Sequence, residues 1–116
     1  MTRAEKPPTR ESQIEKQLVK RVKELRGQIR KLKWIGRSKA PDRVVMLPAR
    51  SPRIFNGKVA DERNTIWVEV KRPGTAATFP NDAHEEAQAR EHRRMRKMGQ
   101  RVEVVDSYER IEEILS

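Results

Sequence analysis

The chain has 116 residues, 34% of them hydrophobic and 38% charged, with a formal net charge of +10. That length suits one domain with a sheet-plus-helix core and little apolar material to spare. The absence of cysteine excludes disulfides, thiolate metal sites and cysteine nucleophiles, and no apolar run approaches the roughly 20 residues of a membrane span. The opening "MTRAEKPPTR" lacks the apolar core of a secretory signal, so the composition reads as a soluble, cytoplasmic protein. The charge is uneven: Lys and Arg outnumber Asp and Glu 13 to 4 over residues 1–39, but only 14 to 13 over residues 40–116. Clustered cations bind a polyanion by releasing counterions from its phosphates, which makes the basic part the better candidate for a nucleic-acid footprint. A solvated helix face is the competing reading.

Residues 1–10, with Pro7-Pro8 and four charges, read as a mobile basic tail ahead of a single domain over 11–116. From Ser12 to Arg26 the residues Ile14, Leu18, Val22 and Leu25 recur at helical spacing, and Gly27 is placed to end the helix. "QIRKLKWI", residues 28–35, alternates imperfectly and predicts a strand. "DRVVML", from Asp42 to Leu47, predicts a second one between Pro41 and Pro48. Residues 48–64 hold two prolines and Asn56-Gly57, which suggests an excursion with a small hairpin or a short helical turn. "TIWVEVK", residues 65–71, predicts the third strand, with Ile66, Val68 and Val70 on one face and Trp67, Glu69 and Lys71 on the other. Asp82 can cap a helix that runs to Met98 and stops at Gly99. A strand "RVEVV" and a short helix begun by Ser107 complete the order helix, three strands, helix, strand, helix.

On its own, "WVEVK" describes the wet side of a sheet. Sequential strands tend to neighbour one another, however, so the strand opened by Pro41-Asp42 can lie beside this one and bring Asp42 and Glu69 together. Two hard carboxylates on adjacent strands suit Mg²⁺ or Mn²⁺, which keep several waters for a substrate phosphate to displace. Lys71 shares that face, where it can orient or help deprotonate an attacking water, or offset charge on a phosphorane-like transition state. Arg90, Arg93, Arg94, Arg96 and Lys97 cluster on the second long helix, either to meet phosphates or to solvate it. Trp34 and Trp67 can stack on a base, with core or dimer packing as the other use; His84 and His92 read as ordinary helix residues. No helix-turn-helix or zinc-finger spacing is present.

"PD" at 41–42 followed by "EVK" at 69–71 resembles the PD-(D/E)xK nuclease superfamily. Taken in order, "APDRVVMLP", "WVEVKRPG", Gln88 and "MGQRVEVVDSYERIEEIL" are similar to the virus-type replication-repair nuclease (VRR-NUC) domain, over residues 12 to 115. The resemblance implies a restriction-endonuclease-like α/β core, a mixed four-stranded sheet flanked by helices. It implies Asp42 and Glu69 as metal ligands with a further oxygen from the Val70 carbonyl, Lys71 as the catalytic lysine, Glu15 as an additional acid, and Gln88 as the glutamine of the following helix. The implied activity is metal-dependent hydrolysis of DNA phosphodiesters by a homodimer, with a four-way junction as the favoured substrate. Flap cutting, less selective nicking and a non-catalytic DNA or junction clamp are the alternatives. DNA contacts are expected at Lys31, Lys33, Arg37, Lys39, Arg43 and Arg72. Lys39 stands where the family usually carries glycine, two residues before Pro41-Asp42. Ser12 and Glu15 also fit a Ser-x-x-Glu capping box, so Glu15 is read both as a cap and as a ligand. Gln88 falls on a helical line with His84, His92 and Met95 that can lean over the catalytic face.

Overall fold

A computed structural model of the chain describes residues 7–36, 39–48, 54–55, 58–59 and 64–116. The first helix, α1 (Glu11–Glu24), buries Ile14, Leu18 and Val22 completely, as their fourfold spacing requires. Its start is capped from within: the Gln13 side-chain oxygen accepts from the backbone N–H groups of Thr9 and Arg10 at 2.7 and 2.9 Å. The expected Ser12–Glu15 box is therefore not the cap, and the Glu15 carboxylate is left for other partners.

The helix ends in a Schellman turn. Gly27 N–H donates to the Val22 carbonyl at 2.9 Å and Arg26 N–H to that of Lys23 at 3.0 Å. Arg26, at φ 64°, takes the left-handed position that the sequence reading gave to Gly27. Gly27 is needed for closeness instead, because a Cβ there would lie 2.8 Å from the Met46 carbonyl oxygen.

Strands β1 (Gln28–Lys31), β2 (Arg43–Met46), β5 (Thr65–Val70) and β6 (Val102–Val105) form a four-stranded sheet in the order β1-β2-β5-β6. The first two pairings are antiparallel and the last is parallel, so the sheet is mixed. This is the α/β architecture expected from the sequence. The first strand is shorter than residues 28–35 because its partner begins only at Arg43; Leu32 N–H to the Asp42 carbonyl, at 2.7 Å, continues the pairing one step past Lys31. Within the 48–64 excursion, β3 (Ile54–Phe55) and β4 (Lys58–Val59) make the small hairpin, with Ile54 opposite Val59.

Helix α2 (Ala83–Lys97) is capped by the Asp82 carboxylate, which accepts from Glu85 N–H at 2.8 Å. Helix α3 (Tyr108–Leu115) is capped by Ser107. Helices α1 and α3 share one core with Val45, Ile66, Val68, Val70 and Val105, and Arg21 of α1 ties to Glu112 of α3 at 2.7 Å. Helix α2 packs over β6 on the other face, the one that carries Glu69 and Lys71. Among the described residues no helix is long and apolar enough to cross a membrane.

Gly27→Ala forces a methyl against backbone at the α1–β2 crossing, where relief requires the helix to shift. The expected cost is about 1–3 kcal/mol, read as a lower midpoint in urea unfolding with an unchanged slope.

Candidate active site

The site is fixed by strand register. Arg43 pairs with Val68, so one further step of the antiparallel ladder sets Asp42 opposite Glu69, on the same face of the sheet. Asp42 is exposed at the mouth, whereas Glu69 is 9% exposed. Beyond the end of β5, Lys71 N–H donates to the Val105 carbonyl at 2.8 Å, which extends the parallel pairing and fixes the lysine backbone. Val70 lies between the two, nearly buried.

One face of α2 meets these residues. The Lys71 ammonium donates to Gln88 Oε1 at 2.6 Å and lies 3.2 Å from Glu85 Oε2 and 5.1 Å from the centre of the Phe79 ring. The other Glu85 oxygen accepts from Asn81 N–H at 2.8 Å, so a single carboxylate ties the helix start to the lysine. His92 lies deeper, with Nε2 3.5 Å from Glu69 Oε1. The sequence reading had Gln88 and His92 on a line with His84. In the fold His84 is exposed and meets the Lys39 ammonium, and Glu85 takes the inward position.

Glu15 bonds the guanidinium of Arg43, whose other terminal nitrogen lies 3.9 Å from Asp42 Oδ2. Arg43 is thus buried between acids on the α1 side, and the DNA contact expected of it is corrected to an internal ion pair. Its alternation in β2 explains this: Arg43 sits opposite Val68, on the core-facing side. Lys31, Lys33 and Arg72 are exposed, Lys39 is half-buried, and Arg37 lies outside the described residues. Arg90, Arg93, Arg94, Arg96 and Lys97 line the outer surface of α2, with Arg94 paired to Glu91 at 3.0 Å and Arg96 bonded to the Val102 carbonyl at 2.8 Å. Trp34 and Trp67 pack on each other at 5.4 Å, and both indole N–H groups are used, on the Pro41 carbonyl and Gln100.

Glu11 was not anticipated. Its carboxyl is raised above its ordinary value by partial loss of water. The Lys71 ammonium opposes that shift, and the negative charges of Glu15, Glu69 and Asp42 reinforce it. The shift places Glu11 within the electrostatic reach of the sheet-end carboxylates, one helical turn before Glu15. That i, i+4 spacing was the available signal. Glu85, three residues before Gln88, carried a similar one.

The donor set fits a hard divalent cation held by one or two carboxylates and several waters. Among the described residues the enclosed Glu69 oxygen Oε1 has no hydrogen-bond partner, and Glu15, Glu69 and Asp42 lie close enough together to act jointly on Glu11. Among the described residues no three His, Cys, Asp or Glu side chains stand ready as an all-protein cage.

A mixed sheet flanked by helices, with two carboxylates and a lysine at the end of adjacent strands, defines a PD-(D/E)xK-type fold. No family model matches the sequence. The chain is 39% identical over 98 residues to "Putative nuclease p44" of Acyrthosiphon pisum secondary endosymbiont phage 1, covering 84% of each chain. It also superposes on a solved "VRR_NUC domain" with a TM-score of 0.63 and 33% identity, over 93% of this chain and 96% of the other. The chain belongs to the VRR-NUC family, as a phage-like member.

Because the Glu11 carboxyl titrates higher in the folded chain, its ionisation opposes folding above the ordinary value of 4.5 and has no effect well below it. Glu11→Gln is expected to raise the melting temperature at neutral pH, with the gain vanishing as pH falls below that value. Thermal melts of both proteins across pH check this.

Proposed function

We propose that the chain is a divalent-metal-dependent DNA endonuclease that hydrolyses phosphodiester bonds. The observation that carries this reading is the β2–β5 register, Arg43 opposite Val68, which continued by one step faces Asp42 with Glu69, on the side of the sheet where Lys71 meets α2. Asp42 and Glu69 hold the ion, Mg²⁺ or Mn²⁺, with the Val70 carbonyl as a further oxygen and Glu15 as an outer acid that Arg43 keeps in place. When bound, the ion polarises the scissile phosphate and activates the attacking water.

The chain's own residues then divide the work. Each partner of Lys71 suits a cation: an amide oxygen, a carboxylate and an aromatic face. Lys71 therefore acts as a fixed positive charge that offsets the charge gathering on phosphorus, rather than as the base that takes the water proton. Gln88 and Glu85 aim it. Water attacks phosphorus in line and gives up its proton to solvent; the P–O bond to the leaving strand breaks, and that oxygen takes a proton from solvent, so the strand departs as an alcohol while the phosphate stays on the other end.

Lys31, Lys33, Lys39 and Arg72 sit on the segments that lead into Asp42 and out of Lys71, where they can follow a phosphate backbone. A homodimer with two such sites matches a two-fold substrate, which favours a four-way junction over a flap or a linear duplex. The cytoplasm of a host cell is the natural place for such an enzyme.

The test uses end-labelled four-way junction and matched duplex with Mg²⁺, Mn²⁺ or chelator, with Glu69→Ala alongside. Paired nicks on the junction that need metal and Glu69 are expected; binding without cleavage under every condition would favour a junction clamp instead. Lys71→Ala is expected to bind junction as the parent does and to cut it ~10²–10³-fold more slowly, the loss typical of one transition-state donor. Gel-shift and single-turnover rates separate the two effects.

A further inference from the structure

His92 is a buried titratable side chain beside Glu69 that the proposed chemistry leaves unused. Its side chain, on α2, is 1% exposed and stacked on Phe79 with ring centres 5.7 Å apart and planes at 22°. Among the described residues neither of its ring nitrogens has a hydrogen-bond partner, and neither has Glu69 Oε1, which Nε2 faces at 3.5 Å. As packing alone this is a poor arrangement. Each enclosed nitrogen left unpaired is destabilising, and a phenyl ring would fill the same stack without that loss.

The spacing along the two elements explains what His92 is placed to do. Two residues of strand, from Glu69 to Lys71, advance about 6.8 Å, and four residues of helix, from Gln88 to His92, advance about 6 Å. Helix α2 therefore grips β5 at matched intervals, Gln88 on Lys71 and His92 on Glu69. An approach of a few tenths of an ångström brings Nε2 within hydrogen-bond range of Oε1.

We infer that His92, with a proton on Nε2, is a positioning residue that holds Glu69 through Oε1 and so leaves the other carboxylate oxygen to the divalent ion. The inference rests on the proposed metal role of Glu69. A carboxylate fixed in this way loses less rotational freedom when the ion binds, and removing such an outer partner typically weakens metal affinity 10–100-fold.

Mn²⁺ titration calorimetry and thermal melts on the full chain, comparing the parent, His92→Phe and His92→Gln, distinguish holding from packing. His92→Phe keeps the stack and deletes the donor; it is expected to melt at or near the parent temperature and to bind Mn²⁺ about tenfold or more weakly. His92→Gln loses the ring but can donate from its amide, and is expected to recover most of that loss. Parent-like Mn²⁺ affinity in His92→Phe, or weak binding by His92→Gln alone, overturns the inference. A separate readout on the metal-free protein is the ¹⁵N spectrum of the imidazole. An Nε2–H tautomer whose signal shifts in Glu69→Ala supports the contact, and an Nδ1–H tautomer, or a signal indifferent to Glu69, sinks it. Should the parent bind no Mn²⁺, the metal reading of the site fails while the imidazole spectrum still decides whether His92 holds Glu69.

Discussion

The two-sidedness of β5 is the constraint on which the site depends. Ile66, Val68 and Val70 are buried against α1 and α3, so this strand cannot slip by one residue without turning its apolar set out of the core. The same alternation points Glu69 and Lys71 at α2. Core packing thus fixes the polar face: the energy that aligns the valines also holds the carboxylate and the ammonium in place. The β2 pairing transmits this alignment sideways, because the register that faces Val45 with Ile66, continued one step past Arg43 and Val68, faces Asp42 with Glu69.

Holding acids this close has an electrostatic cost, and the fold distributes it. Arg43 enters from the core side and takes Glu15, with its second terminal nitrogen near Asp42. Lys71 enters from the other side and shares its charge between Glu85 and Gln88. Neither cation reaches Glu69 Oε1, and Glu11, raised chiefly by its own loss of water, feels Glu15, Glu69 and Asp42 against the pull of Lys71. The side-chain cations of the site thus already have other partners, and the proposed divalent ion would bring its charge to an oxygen that they leave unmet.

Much of this was legible in the sequence because it follows from period and punctuation. The stripe Ile14, Leu18, Val22 gave α1, the alternation in "TIWVEVK" gave both faces of β5, and Asp82 and Ser107 marked the helix starts. What was not legible depends on which way a side chain turns once the layers meet. Arg43 belongs to a run of basic residues, yet its place in β2 sends it into the core side, where Glu15 makes burial tolerable. Glu15 looked like a cap because Ser12 precedes it by three, but Gln13 reaches the free N–H groups one turn earlier. Glu85 and His84 are adjacent, and the phase of α2 alone decides that the first meets Lys71 and the second meets Lys39.

The position of α2 follows from a connection that is short on the scale of the sheet. Between Lys71 and Ala83 the chain turns through Gly74 at φ 77° and a single 3₁₀ turn at Ala76–Thr78, which the Asp106 carboxylate fixes by accepting from Ala76 N–H at 2.9 Å. That turn delivers Phe79 to Lys71 before α2 begins, so the ring contacts both the ammonium and His92. Asp106 follows β6 directly, and β6 is the strand that also fixes the Lys71 backbone. The lysine is consequently restrained from its own main chain, from α2 and from Phe79, and all three restraints trace back to β6 and the residues at its end. A group held on so many sides is suited to presenting a stationary charge, because its reorganisation is completed on folding instead of during each turnover.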